Sequence, residues 1–256
     1  MHILLTNDDG VSARGIGILE EVMSVHADKV TVVAPVGQRS AASHSMSINK
    51  DLYCQEIESN YPNVRKFSVN GTPVDCVKTA LEFFLADDMP DLIISGINDG
   101  YNLGSDVLYS GTVSAAMEGP YYQMPAIAVS IGKLTEVRGY ETAGLVVEII
   151  DRVIVGGKFP GILNVNVPGK KGKISIDNIV VVPQAVQIYR NVILQKKDRD
   201  GATCFRVVGD SDMSTAPQFS DIAGIRRGHV TVTPLRWQQT ATAAMETVAH
   251  LIFHNH

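Results

Sequence analysis

The sequence predicts an α/β fold: a parallel sheet covered on both faces, followed by a β-rich extension. From the N-terminus to about residue 130, short aliphatic runs alternate with helical patterns, as βαβ units require. The runs are apolar throughout rather than alternating, so their strands are buried on both faces. Between residues 174 and 235 the pattern changes to short alternating segments separated by Gly, Asp and Ser, the mark of hairpins.

Element by element, Ile3-Leu4-Leu5 is the first strand, the amphipathic stretch Ile16 to Val25 a helix, and Val30 to Ala34 a second strand closed by Pro35. Gln38 to Asn70 is polar, with weak alternation over Leu52 to Ile57 and Val64 to Val69, and reads as a loop plus a hairpin. A helical pattern from Val74 to Leu85 precedes a third strand, Asp91 to Ser95. A Gly/Asn-rich loop, a helix from Val113 and a strand Ala126 to Ser130 follow. Tyr140 to Val155 is helical and Ile162 to Val167 is a strand ended by Pro168. Ile179 to Val182, Ile188 to Leu194, Thr203 to Val208 and His229 to Leu235 are the segments of the extension, and Ala241 to Phe253 is a closing helix. At 256 residues the chain fits one elaborated domain or two of about 150. We divide it into a core over 1–173 and an extension over 174–256, with no clean linker between them.

Composition narrows the class. A 45% apolar, 19% charged chain builds a large core, and no apolar run is long enough to span a membrane, since Leu145 to Val155 is broken by Glu148, Asp151 and Arg152. The N-terminus lacks the basic and apolar regions of a signal peptide, so a cytoplasmic location is expected. The net charge of −5 and scattered Lys and Arg leave no footprint for duplex nucleic acid; Lys170-Lys171-Gly172-Lys173 and Arg226-Arg227 read as solvated loops. Cys54, Cys76 and Cys204 are too far apart for a zinc knuckle or disulfide framework and are expected to be core thiols. His250, His254 and His256 read as a frayed terminal helix.

In an open parallel sheet, ligands bind outside the carboxyl ends of the strands. Four loops there carry chemistry. Asn7-Asp8-Asp9-Gly10 puts two adjacent carboxylates on a tight turn, where they raise each other's pKa unless a cation is near. It is also what an Asx-turn before a helix looks like. Gln38-Arg39-Ser40-Ala41-Ala42-Ser43-His44 is rich in hydroxyls, and as a plain surface loop would carry His44 incidentally. Ser95-Gly96-Ile97-Asn98-Asp99-Gly100-Tyr101-Asn102-Leu103-Gly104 offers amides and glycines that admit close backbone approach. Ser110-Gly111-Thr112 opens a helix of small residues, either an ordinary N-cap or a phosphate cradle. Two carboxylates, a hydroxyl and an amide carbonyl form an all-oxygen set suited to Mg²⁺ or Mn²⁺, which lower the pKa of a bound water; metal-assisted phosphoester hydrolysis follows. A P-loop is absent. Gly10, Gly15 and Gly17 do not complete G-x-G-x-x-G because Glu20 holds the last position; Asp8 and Asp9 are adjacent rather than one residue apart, which disfavours a phosphoaspartate D-x-D loop, and no G-x-S-x-G motif occurs.

Asn7-Asp8-Asp9-Gly10, Arg39-Ser40, Gly71 to Val77, Ser95 to Asn98, Asn102-Leu103-Gly104, Tyr109 to Val113 and Glu118-Gly119 together resemble the SurE family of survival nucleotidases, closely over residues 1 to about 130. Leu163 to Pro168 and Val230 to Leu235 extend the match. The resemblance implies a three-layer αβα, Rossmann-like core and a metal-dependent phosphatase for nucleoside 5′- and often 3′-monophosphates, with short polyphosphate as a side substrate. It implies one divalent cation per subunit held by Asp8, Asp9, Ser40 and Asn98, phosphate bound by Asn102, Ser110, Gly111 and Thr112, and a homodimer or homotetramer. Val36 and Asp99 depart from the family pattern without touching these positions. A nucleotide-binding module without hydrolysis and a phosphatase for non-nucleotide esters are the alternatives. Tyr61, Tyr101 and Tyr109 are the aromatics available to stack on a base.

Overall fold

The computed structural model describes residues 1–157, 159–170, 172–186, 192–208 and 216–253. The first unit is β1 (His2–Thr6), α1 (Arg14–His26) and β2 (Lys29–Pro35), with β1 and β2 parallel. β1 and β2 supply alternate side chains to opposite faces. Ile3 and Leu5 pack with Ile16, Leu19 and Met23 of α1, whereas Leu4 and Val33 join Phe67 and Val77 on the other side. Strand alternation thus builds two cores from one apolar run.

β3 (Cys54–Ile57) and β4 (Val64–Val69) form the expected hairpin, but β4 also pairs in parallel with β2 and so becomes an inner strand, leaving β3 as the antiparallel edge. Edge placement explains why Cys54 is exposed rather than a core thiol; Cys76 is buried and Cys204 is half-buried. α2 (Pro73–Thr79) begins at a capping box in which the Thr72 hydroxyl accepts from the Asp75 N–H and the Asp75 carboxylate accepts from the Thr72 N–H, then widens into a π-turn over Ala80–Phe84. β5 (Leu92–Asp99), a 3₁₀ segment Gly104–Tyr109, α3 (Gly111–Tyr121) and β6 (Ala126–Ile131) follow. α4 (Glu136–Ile149) and its π-continuation Ile150–Val155 lead to β7 (Ile162–Val167).

Beyond residue 173 the main sheet continues. β11 (Val230–Leu235) pairs antiparallel to β7, and β8 (Ile179–Val181) pairs parallel to β11. Among the described residues, only β9 (Val192–Lys197) and β10 (Thr203–Val208) form a separate antiparallel hairpin; part of the strand expected over Ile188 to Leu194 lies outside them. α5 (Asp221–Arg226) precedes β11, and α6 (Met245–Phe253) closes the described chain. The nine-stranded order is β3-β4-β2-β1-β5-β6-β7-β11-β8. Among the described residues, no helix is long and apolar enough to cross a membrane.

β2 and β4 lie on one side of β1, and β5, β6 and β7 lie on the other. The winding direction therefore reverses between β1 and β5. At such a switch point the connections leave in opposite directions and open a crevice outside the strand ends. Asp8 follows β1, and Asn98 closes β5, so both border that crevice.

Candidate functional site

The turn after β1 is held by Asn7, whose Oδ1 accepts from the Gly10 N–H at 3.1 Å and whose Nδ2 donates to the Gly10 carbonyl at 2.9 Å. Gly10 has φ of +106° and lies against Gly37, where a Cβ would come 3.0 Å from the Gly37 Cα, so both its conformation and its surroundings call for glycine. This Asx-type turn leaves the next two side chains at the crevice.

Asp8 is buried, and Thr112 grips it: the Thr112 hydroxyl donates to Asp8 Oδ1 at 2.5 Å, and the Thr112 N–H also hydrogen-bonds the carboxylate. Burial pushes the Asp8 carboxyl above its ordinary pKa, the Thr112 hydroxyl pulls the other way, and the neighbouring Asp9 adds to the rise. Burial also raises Asp9, against a hydrogen bond from the Asp99 N–H, with the Asp99 charge adding to the rise. Two adjacent carboxylates thus share the crevice with the Asp99 charge nearby, an excess of negative charge that a cation would relieve.

The loop carrying Ser40 crosses this site. The Arg39 N–H donates to the Asp8 carbonyl at 2.7 Å, while the Ser43 N–H and hydroxyl donate to the carbonyls of Tyr109 and Leu108. Ser40 itself is exposed. Asn98 Nδ2 donates to the Gly100 carbonyl at 2.8 Å, so of its two polar atoms Oδ1 is the one that could meet a cation. The donors fit a hard divalent cation by type: two carboxylates, an amide oxygen and a hydroxyl. Among the described residues, no trio of His, Cys, Asp or Glu side chains is placed to hold a metal, so neutral oxygens have to complete any cation shell here.

Ser110 caps α3, its hydroxyl accepting from the Val113 N–H at 3.0 Å. Gly111 sits against Asp8: a Cβ there would lie 2.8 Å from Asp8 Cβ, 3.1 Å from Asp8 Oδ2 and 3.1 Å from Pro73 Cγ. Gly111→Ala should therefore push Asp8 or Pro73 aside at a cost of about 1–3 kcal/mol, read as a lower midpoint in urea. An unchanged midpoint would show that the crevice yields freely.

Asn102 is bonded to β6 and β7. Its N–H donates to Asn166 Oδ1, its carbonyl accepts from Asn164 Nδ2 and Asn166 Nδ2, and its own Nδ2 donates to Ser130 Oγ at 2.7 Å. Next along the loop, the Gly104 N–H donates to the buried Asp221 of α5. Sequence reading names no role for Asp221 and matches Asn164 and Asn166 only as part of a motif, although Leu-Asn-Val-Asn-Val places two amides in a fully buried strand, and buried amides need partners.

His44 is not incidental. Its Nε2 meets Glu118 Oε1 at 2.5 Å, and Glu118, almost wholly buried in α3, also pairs with Lys78 at 3.1 Å. This ties the Ser40 loop to α3. Burial alone would raise the Glu118 pKa, but the His44 and Lys78 bonds outweigh it and hold the carboxyl below its ordinary value. A depressed acid stabilises the fold fully above the unfolded value of about 4.3 and loses that contribution as pH falls through the folded value. Glu118→Gln should cost about 1–3 kcal/mol near neutrality and flatten the acid limb of stability against pH, measured by urea unfolding. A mutant curve parallel to wild type would reject the pairing.

Among the aromatics, Tyr61 packs against the α1 core, Tyr109 is exposed, and the Tyr101 hydroxyl accepts from the Gly169 N–H. His250 is exposed on α6, and His254 and His256 lie outside the described residues.

Adjacent carboxylates at a switch-point crevice, one of them held against a capped helix start, define a Rossmann-like α/β protein with acidic oxygen donors at its strand ends. The family model described as Survival protein SurE matches residues 3–191. The 5′-nucleotidase SurE of Heliobacterium modesticaldum is 39% identical, over 97% of this chain and 91% of its own length. That of Synechococcus elongatus is 39% identical, over 98% and 99%. The crystal structure of the SurE protein from Aquifex aeolicus matches with a TM-score of 0.81 at 32% identity, covering 98% of this chain and all of that one. The chain belongs to the SurE family.

Proposed function

We propose that this protein is a phosphoric monoester hydrolase that cleaves nucleoside 5′-monophosphates, and also 3′-monophosphates, to nucleoside and phosphate, with short polyphosphate as a side substrate. The observation that carries the reading is the Asp8–Asp9 pair placed against the start of α3, in a chain whose SurE relatives are 5′-nucleotidases. Asp8, Asp9, Ser40 and Asn98 would hold one Mg²⁺ or Mn²⁺. When bound, the cation neutralises ester charge and acidifies the attacking water.

The chain's own groups do the rest. Asp8 Oδ1 is held by Thr112, so its Oδ2 is the oxygen that takes the water's proton, and Asp9 is chiefly a ligand. The Gly111 N–H, first in α3, would meet charge growing on the phosphoryl oxygens, while the Thr112 hydroxyl and N–H fix Asp8 and the Ser110 hydroxyl caps the helix through the Val113 N–H. Asn102, whose Nδ2 is steadied by Ser130, would border the phosphate from the loop after β5. A non-hydrolytic binder would gain nothing from carboxylates facing its anion, which disfavours that alternative.

Release of phosphate from a panel of 5′- and 3′-monophosphates, a sugar phosphate and tripolyphosphate, with Mg²⁺, Mn²⁺ or chelator, tests this. The expected result is cation-dependent release, fastest from nucleotides. Release unaffected by chelator, or none with nucleotide still bound, would refute it.

We also propose a homodimer or homotetramer. Met245, Val248, Leu251, Ile252 and Phe253 of α6 and Ile193, Leu194 and Phe205 of the β9–β10 hairpin are exposed apolar side chains, more than a solitary subunit ordinarily shows. A monomer mass by light scattering at micromolar concentration would overturn this.

A further inference from the structure

The basic groups that the sequence leaves as solvated surface converge in the fold. Lys170, from the loop after β7, and Arg226 and Arg227, from the end of α5, line one hollow of about 740 Å³ together with Lys133 from the loop after β6. No carboxylate lines it among the described residues, although the chain carries a net charge of −5.

The hollow is built rather than incidental. Asn178 Nδ2 donates to the carbonyls of Lys173, at 2.7 Å, and Gly228, at 2.9 Å, clamping the two basic segments together. A Cβ on Gly172 would lie 2.2 Å from the Gly228 carbonyl oxygen, so these backbones are already in contact. On the opposite wall the Tyr101 ring lies on Gly132, where a Cβ would come within 2.0 Å of it, and the Tyr101 hydroxyl accepts from the Gly169 N–H at 3.0 Å. Four cations are thus gathered on a framework fixed by backbone contacts, which lowers the ordering cost of binding an anion.

Its position says what kind of anion. Tyr101 is two residues past Asp99, at most about 7 Å of chain, and the Asp99 N–H bonds Asp9. The hollow therefore opens beside the crevice, on the same carboxyl edge of the sheet. We propose that it is a second anion site, separate from the phosphate position at α3, that takes the outer groups of a ligand bearing a chain of phosphates. Lysines supply point charges, and the guanidinium forks of Arg226 and Arg227 suit paired phosphate oxygens. The placement of the ligand's near end rests on the hydrolase reading above; the hollow's own affinity does not.

Calorimetric titration of the whole protein in chelator with orthophosphate, tripolyphosphate and a nucleoside triphosphate tests it, using wild type and the surface double variant Lys170→Ala/Arg227→Ala. Tripolyphosphate should bind wild type at least about tenfold more tightly than orthophosphate and lose about tenfold in the variant, while turnover of a nucleoside monophosphate stays within about twofold. Equal binding of the nucleoside triphosphate would assign recognition to the phosphate chain alone, and tighter binding would add the nucleoside. Tripolyphosphate affinity unchanged in a variant with wild-type melting would overturn the site. Lost affinity in a protein with no monophosphate turnover would support the hollow and reject the hydrolase reading instead.

Discussion

Asp8→Asn should lower kcat/KM on a nucleoside 5′-monophosphate by about 10³-fold at saturating Mg²⁺ or Mn²⁺, equivalent to about 4 kcal/mol of transition-state stabilisation. The change removes one of only two carboxylates available to a cation and the oxygen assigned to the water's proton. It should not unfold the protein. An asparagine Oδ1 still accepts from the Thr112 hydroxyl and N–H, and the substitution takes a charge out of a site where burial and Asp9 already oppose ionisation. Because the folded pKa of Asp8 is raised, its ionised form costs stability at neutral pH, so the chelated variant should melt at or a few degrees above the wild-type temperature. Phosphate-release kinetics beside thermal melts check both halves. Activity within about tenfold of wild type would remove Asp8 from the mechanism; a large fall in melting temperature would mean that Asp8 is structural.

The parallel strands and the loops at their carboxyl ends were legible because each is a local signal: a β-branched run, a Gly turn, a Ser before a helix. Asp8, Asp9 and the Ser110 cap stand where strand boundaries put them. What escaped is set by pairing between distant segments. Val64 to Val69 contains Arg65 and Lys66 and reads as a half-exposed hairpin strand, yet it pairs with β2 as an inner strand. Val230 to Leu235 reads as part of an appendage but completes the sheet beside β7. Glu118 and His44 are 74 residues apart, and nothing in either neighbourhood announces the other. The clearest overlooked signal is chemical: polar residues at inward positions of buried elements, as in Asn164, Asn166 and Asp221, require partners that pattern reading does not name.

Asp221 shows how much of the site rests on such partners. Fully buried at the start of α5, it accepts from the Gly104 N–H at 2.7 Å through Oδ2, and from the N–H groups of Ala185 at 2.9 Å and Ile222 at 2.8 Å through Oδ1. It thereby fastens the loop after β5 to the C-terminal part of the chain. Asp221→Ala strands three backbone donors, each costing about 1–3 kcal/mol where no water enters, so a loss of about 3–5 kcal/mol in urea is expected. This is comparable to what breaking a buried charged network removes elsewhere. Asp221→Asn distinguishes this network from mere packing. It keeps the shape and one accepting oxygen but turns an NH₂ toward donors, so it should lose roughly half as much. If the network fixes the Asn102–Gly104 loop, KM for a nucleoside monophosphate should rise in Asp221→Asn more than kcat falls, because binding geometry is disturbed while Asp8 and Asp9 are not. Equal losses in the two variants would leave volume as the only role of Asp221.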